Sequence, residues 1–178
     1  MPAHDSSELD KLLDRVRELL GASDDGVLLE ANTAVNQALQ LHPSSVEAWL
    51  LKCQVASAAG DDLAALAAVE MALRRAPHRA EALYWRGAIL GDLGRFREAL
   101  RSIEAALRVL GDADAWLLED LMYEKVTVLE ALGLHDAAVA ACATALEHCP
   151  GSALLRAAAN TAERARVRGG LRVLRGGA

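Results

Sequence analysis

The side chains best suited to nucleophilic or metal chemistry are three cysteines and five histidines, and their spacing argues against both chemistries. His148 with Cys142 and Cys149 forms the one local cluster in the sequence. Structural zinc sites are normally built from two short-spaced ligand pairs, so this cluster does not predict a metal site. His42 and His78 each adjoin a proline at corresponding places in the chain, which indicates loop residues.

The sequence also lacks the arrangements that activate a nucleophile or hold a phosphate. It contains neither a nucleophile elbow nor a Ser-His-Asp triad at a familiar spacing, and the phosphate-loop pattern Gly-x-x-x-x-Gly-Lys-Ser/Thr is absent. The acidic pairs Asp24–Asp25 and Asp61–Asp62 fall at expected helix starts, where the helix dipole favours negative charge. We therefore expect a protein that is not an enzyme, with no catalytic residues, no cofactor and no metal.

Composition and net charge argue against several further classes of protein. The net charge is −6 and the pI about 5.4, which argues against nucleic-acid binding by the whole protein. An odd number of cysteines excludes a full disulfide framework, and neither a signal peptide nor a membrane-spanning run is recognisable, so we expect a cytoplasmic protein. The few lysines beside many arginines suggest the coding bias of a GC-rich bacterium.

The elements that carry these residues repeat with a period of 34 residues. The steps between successive turn glycines are 34, 34 and 39 residues, at Gly26, Gly60, Gly94 and Gly133. Five and twelve residues after each glycine stands an alanine, giving the set Ala31, Ala65, Ala99, Ala138, Ala38, Ala72, Ala106 and Ala145. Seventeen residues after a glycine stands a proline or its substitute, at Pro43, Pro77, Gly111 and Pro150. Glycine permits a tight turn, alanine permits close helix packing, and proline ends a helix, so each period predicts helix, turn, helix and stop.

This pattern resembles the tetratricopeptide repeat, a 34-residue helix-turn-helix. The matching positions in the second to fourth units are Trp49, Ala65, Val69, Ala72, Pro77, Gly87, Gly94, Phe96, Ala99, Ile103, Ala106, Tyr123, Gly133, Ala138, Cys142, Ala145 and Pro150. Gly111 departs from the expected proline, and the first unit is degenerate. The resemblance implies an all-α, right-handed α-solenoid of about four helix pairs in one domain over residues 1–168. Its repeats would span 12–45, 46–79, 80–113 and 114–152, followed by a capping helix over 153–168 and a flexible basic tail over 169–178.

The predicted helices follow from these stops. They span 6–20, 24–41, 45–59, 62–75, 79–93, 96–110, 113–132, 136–148 and 152–168. A capping box formed by Ser44 and Glu47 supports the start of the third helix.

Five extra residues near 114–118 account for the longer last period. We expect them to lengthen the first helix of the fourth pair by adding Trp116, Leu117 and Leu118 to its start. In one interpretation Trp116 packs on the preceding pair. In the other, Trp116 and Leu117 form a secondary docking or dimerisation patch.

In the family that the chain resembles, the first helix of each pair lines a groove that binds peptides or helices. Carrying those positions over predicts a partner-binding groove lined by Glu47, Leu50, Gln54, Ser57, Glu81, Tyr84, Ala88, Asp92, Asp120, Tyr123, Thr127 and Glu130. The carboxylate clamp of some family members cannot form, because its sites here hold Leu50, Gln54, Trp85, Asp120 and Glu124. The groove is instead acidic with two tyrosines.

The resemblance therefore implies a non-catalytic adaptor, scaffold or client chaperone that binds another protein, with no membrane partner. We expect a neutral-to-basic segment, with Tyr84 and Tyr123 as anchors and Glu47, Glu81 and Asp120 selecting charge. Alternatively these acids are an ordinary hydrated face, or the basic tail occupies the groove itself. A regulatory subunit of an enzyme complex, a homodimer, and a weak nucleic-acid contact through the arginine-rich tail also stay open.

Overall fold

The computed structural model describes residues 3–22 and 26–176, and the side chains of residues 7–22 and 26–168. This part of the chain is all-helical, with nine α-helices and one short 3₁₀-helix. The α-helices are α1 Ala3–Leu20, α2 Val27–Leu41, α3 Val46–Ala58, α4 Asp62–Leu73, α5 Ala80–Asp92, α6 Phe96–Val109, α7 Leu118–Ala131, α8 His135–His148 and α9 Ala153–Gly176, and the 3₁₀-helix is Asp112–Leu117. The predicted order of helix pairs is confirmed.

Two helix starts depend on polar caps that the structure identifies. The Ser45 hydroxyl accepts a hydrogen bond from the Ala48 amide at 3.2 Å, so Ser45 and not Ser44 caps α3. The Asp61 carboxylate caps α4, accepting a hydrogen bond from the Ala64 amide at 3.0 Å. The predicted capping box at Ser44 is therefore wrong by one residue, because the chain before Ser45 is still in the turn after Pro43.

The chain divides into two compact units, Met1–Ile89 and Leu90–Ala178. In the first unit, α1 packs on α2 and α3, and α3 on α4. The centre of its core is formed by Val16, Val35 and Val55, each at most 2% exposed. In the second unit, α7 packs against α6, α8 and α9 around Val126 and Cys142. One domain over residues 1–168 stays a prediction.

The alanines of the repeat pattern explain why the helices of a pair approach closely. All eight are fully buried, at 0% exposure: Ala31, Ala38, Ala65, Ala72, Ala99, Ala106, Ala138 and Ala145. A methyl group is the largest side chain that such a short distance between helix axes accommodates. The role predicted for the alanines is confirmed.

Three of the four turn glycines have a left-handed backbone, with φ of 73°, 71° and 72° at Gly60, Gly94 and Gly133. At Gly94 the amide donates to the Gly91 carbonyl at 2.9 Å, and the Arg95 amide donates to the Leu90 carbonyl at 2.8 Å. This pair of bonds is the Schellman ending of a helix, which favours glycine because residues with a Cβ rarely adopt the left-handed backbone that it requires. Gly26 has φ −68°, so the first repeat is degenerate at its turn as well.

Of the five extra residues, only Leu118 belongs to α7, as its first residue, which corrects the prediction for Trp116 and Leu117. Residues 114–117 lie in the 3₁₀-helix Asp112–Leu117, which precedes α7. The physical reason is the burial of Leu117, at 0% exposure, which anchors the end of the tighter turn while Trp116 stays 63% exposed.

Helix α9 extends beyond the predicted capping helix, to Gly176. The side chains of residues 169–178, including Arg172 and Arg175, lie outside the described residues. The backbone is helical through Gly176, and occupancy of the groove by the tail stays a prediction. Mobility of this tail stays a prediction.

Candidate functional site

The first unit contributes the α3 and α5 positions of the predicted groove, and one of them is buried. Leu50 is only 1% exposed and belongs to the core, so its assignment to a binding surface is corrected. Glu47, Gln54 and Ser57 on α3 are partly exposed, as are Glu81, Tyr84 and Ala88 on α5. The prediction for Leu50 is wrong because a leucine side chain is found more often in a buried interior than on a surface exposed to water.

Arginines neutralise the acidic residues of the first unit. Arg17 of α1 forms an ion pair with Glu47 at 2.7 Å. Arg79 lies 3.8 Å from Glu47 and 3.1 Å from Glu81, and the Gln54 amide donates to Glu81 at 3.4 Å. The sequence analysis missed both arginines because they stand outside the groove-facing positions of the repeat. The face they share with Glu47 and Glu81 is thus close to electrically balanced.

Tyr84 is held in place by an aromatic neighbour. Its ring lies 5.5 Å from that of Trp85, between centroids, at an interplanar angle of 64°. Edge-to-face contact of this kind is favourable beyond the area it buries. Tyr84 therefore presents a fixed, partly exposed aromatic surface on α5.

In the second unit, Asp120 and Glu124 of α7 have no such ion pairs in the part of the chain that the structure describes. Within the described residues, no ion pair joins Asp120 or Glu124 of α7 to a basic side chain. Burial raises the pKa of Glu124, and the charges of Asp92 and Asp120 raise it further. Burial and then the neighbouring Glu119 also raise the pKa of Asp120. These shifts mark a region of concentrated negative charge.

Three further predicted residues come together in one cleft. Tyr123, Thr127 and Glu130 of α7 face α9 across a cleft of about 290 Å³. The remaining lining residues are Val126, Leu154, Ala157, Ala158 and Thr161. The sequence predicted the α7 side of this site but missed the α9 side, because a capping helix has no groove-facing positions in the repeat pattern.

The start of α9 is fixed beside the start of α7 by Ser152. The Ser152 hydroxyl caps α9, accepting a hydrogen bond from the Leu155 amide at 3.0 Å. The same hydroxyl donates to the Glu119 carboxylate at 2.6 Å. Ser152 is only 8% exposed, so this polar link is shielded from water and orients one end of the cleft.

The predicted secondary docking patch separates into two different environments. Trp116 is exposed, whereas Leu117 is fully buried and unavailable to a partner. Docking through Trp116 stays a prediction, and Leu117 is corrected to a core residue.

The described side chains include no group of three or more His, Cys, Asp or Glu residues placed to hold a metal ion. Burial, followed by the charge of Glu81, raises the pKa of the Cys53 thiol to about 12, so this cysteine is not an activated nucleophile. No helix among the described residues is both long and apolar enough to cross a bilayer.

No protein-family model matches the sequence, and no curated protein matches it significantly. The structure is similar to solved structures at low sequence identity. The crystal structure of MamA superposes with a TM-score of 0.74 at 20% identity, covering 93% of this chain and 84% of that chain. Pseudomonas aeruginosa PilF has a TM-score of 0.74 at 17% identity, with coverage of 90% and 71%.

A third similar structure is YrrB, described as a TPR protein with an unusual peptide-binding site. It has a TM-score of 0.63 at 22% identity, and the match covers 78% of this chain and 69% of that chain. The chain therefore has the all-α, helix-pair fold of tetratricopeptide-repeat proteins, as its sequence pattern predicted. Identities this low establish the fold alone.

Proposed function

We propose that the chain is a non-catalytic protein-binding module that accepts a neutral-to-basic peptide or helix. Its fold supports this role, because helix-pair arrays present extended binding surfaces and YrrB is described as a peptide-binding protein of the same fold. The observation that carries the charge preference is the uncompensated pair Asp120 and Glu124 on α7. Like charge disfavours an acidic partner, and opposite charge favours a basic one.

The two tyrosines act as anchors in this proposal. Tyrosine offers a large, rigid and amphipathic contact surface with few rotatable bonds. Tyr84 is braced by Trp85, and Tyr123 lines the cleft beside α9. Charge selection falls mainly to Asp120 and not to Glu47 or Glu81, which already pair with arginines.

The test compares two labelled twelve-residue peptides of alanine, serine and leucine that differ only in four lysines or four glutamates. Fluorescence anisotropy should show binding of the lysine peptide that weakens at high salt, and none of the glutamate peptide. Asp120→Asn/Glu124→Gln should weaken lysine-peptide binding by about tenfold, which is about 1.4 kcal/mol. Tyr123→Ala should weaken binding of the same peptide.

Matched variants define the control. Asp136→Asn/Glu147→Gln removes the same two charges from exposed positions of α8 and should leave binding unchanged. Equal binding of the two peptides, or equal loss in both double variants, would contradict the proposed charge selection.

A further inference from the structure

One carboxylate oxygen in the second unit is buried without a donor. Glu130 Oε1 is inaccessible to water and, among the described residues, accepts no hydrogen bond. A buried carboxylate oxygen is strongly disfavoured unless it is hydrogen-bonded or paired with a cation. Glu130 lines the cleft between α7 and α9, so rotation of its carboxyl group would turn this oxygen toward a donor in the cleft.

We propose that this cleft is a pocket for a single arginine side chain of the bound partner, with Glu130 receiving the guanidinium. The inference rests on the proposed function and adds to it a defined recognition element. It is distinct from the charged pair Asp120 and Glu124, which attracts basic segments generally.

The two threonine hydroxyl groups of the cleft do not serve Glu130. The Thr127 hydroxyl donates to the Tyr123 carbonyl at 3.1 Å, and the Thr161 hydroxyl donates to the Ala157 carbonyl at 3.1 Å. Both donors are used within their own helices. Neither threonine therefore supplies the donor that Glu130 Oε1 lacks.

The walls of the cleft suit the stem of an arginine. Val126 of α7 and Leu154, Ala157 and Ala158 of α9 supply apolar surface, and Leu154 is 41% exposed at its edge. A guanidinium is more weakly hydrated than an ammonium and stacks on aromatic faces, so it enters such a site beside Tyr123 at lower cost than lysine does. The long aliphatic stem then packs on the apolar wall.

The two helices that form the cleft are fixed before a partner binds. Ser152 links the start of α9 to Glu119 of α7 at 2.6 Å, and the buried Leu155 and Ala162 hold α9 in the core. A preformed site loses little conformational entropy on binding, which permits a small ligand to be detected directly.

The test uses acetyl-arginine methylamide and acetyl-citrulline methylamide, which have almost the same shape but differ in charge. Each is titrated into ¹⁵N-labelled full-length protein and followed by two-dimensional NMR. We expect saturable shifts of the amides of Tyr123, Thr127, Ala158 and Thr161 with the arginine probe, and at least about tenfold weaker binding of citrulline.

Variants locate the interaction. Glu130→Gln should weaken arginine binding by at least about tenfold, and Glu130→Asp, which keeps the charge on a shorter side chain, should weaken it less. Glu147→Gln on α8 removes an equal charge and should leave arginine binding unchanged. The NMR spectra of the free variants verify that each is folded.

Equal binding of arginine and citrulline would overturn the proposal, as would undiminished arginine binding by Glu130→Gln. Shifts confined to other parts of the chain would also overturn it. These results are separable from failure of the proposed function, because the lysine and glutamate peptides test that function independently of this pocket.

Discussion

Three of the four turn glycines, Gly60, Gly94 and Gly133, end a helix in a backbone conformation that other residues rarely adopt. At Gly60 the φ is 73°, and at Gly94 it is 71°, with open space around the position of a Cβ at both. The cost of any substitution there is therefore conformational and does not come from a clash with a neighbouring element. Gly26, with φ −68° and equally open surroundings, serves as an internal comparison.

Replacing Gly94 by alanine should destabilise the protein by about 1–2 kcal/mol, because the left-handed backbone brings the new Cβ close to its own carbonyl. Gly26→Ala should be neutral or slightly stabilising. Urea unfolding of both variants measures the difference. Equal changes in stability for the two variants would show that the left-handed φ of Gly94 does not set the cost of the substitution.

The carboxyl group of Glu124 predicts a pH dependence of stability. Its pKa is raised in the fold by burial and by Asp92 and Asp120, so the folded state binds its proton more tightly than the unfolded state does. The contribution of Glu124 to folding stability is fully present below the ordinary glutamate pKa. It is lost as the pH rises through the raised pKa of the folded state. Acidification from pH 7 toward that window should therefore favour folding at this site.

Glu124→Gln should accordingly raise the free energy of unfolding at pH 7 by about 0.5 kcal/mol, because it removes the repulsion between Glu124 and Asp120 one turn away on the same helix. The advantage should shrink as the pH is lowered. Thermal melts of wild type and variant across the pH series measure this difference. A variant less stable than wild type at pH 7 would mean that Glu124 stabilises the fold through contacts of its carboxylate.

At the scale of elements, the segment between α6 and α7 shows what a repeat pattern can and cannot predict. The longer last period located the extra residues correctly, because the period is a direct count of the residues between turn glycines. It could not predict a 3₁₀-helix in their place, because Trp116 and Leu117 are both large and apolar and local sequence does not say which one the fold buries. Only burial in the folded structure distinguishes them, with Leu117 inside and Trp116 outside.

Truncating these two neighbours should give opposite results. Leu117→Ala leaves a cavity at a fully buried site and should cost about 2–5 kcal/mol of stability. Trp116→Ala removes an exposed ring and should change stability by about 0.5 kcal/mol or less. Chemical denaturation of the pair tests the assignment. A large loss for Trp116→Ala would indicate that its ring is packed in solution, by this chain or a second copy.

The alanine pattern was predictable for a different reason. Close packing of two helices requires a small residue at every repeat of the contact, so the requirement itself becomes periodic and is visible in the sequence. The cleft beside Glu130 leaves no such trace. Its α9 wall comes from outside the repeat, and a single lining residue such as Thr161 or Ala158 carries no pattern of its own.

Across the whole molecule, the net charge of −6 says little about where negative potential is available to a partner. Glu47 pairs with Arg17, which stands 30 residues earlier in the chain, and that distance in sequence is why the pairing could not be predicted. The acidic groove expected from the sequence is therefore unevenly acidic. Its first-unit carboxylates are balanced, and those of α7 are not.

Removing the two balancing arginines should uncover the carboxylates of the first unit. If the proposed groove includes Glu47 and Glu81, Arg17→Gln/Arg79→Gln should strengthen binding of the lysine peptide by about two- to fivefold, with a steeper salt dependence. The control Arg95→Gln/Arg166→Gln removes two arginines that pair with the nearby Glu98 and Glu163, Arg166 also lying 3.9 Å from Asp136 of α8, and both double variants carry a net charge of −8, from −6 − 2. Stronger binding in the first variant alone would assign these glutamates to the binding surface. Equally strengthened binding in both double variants would show that the effect comes from net charge. Unchanged binding in both would confine partner binding to the second unit.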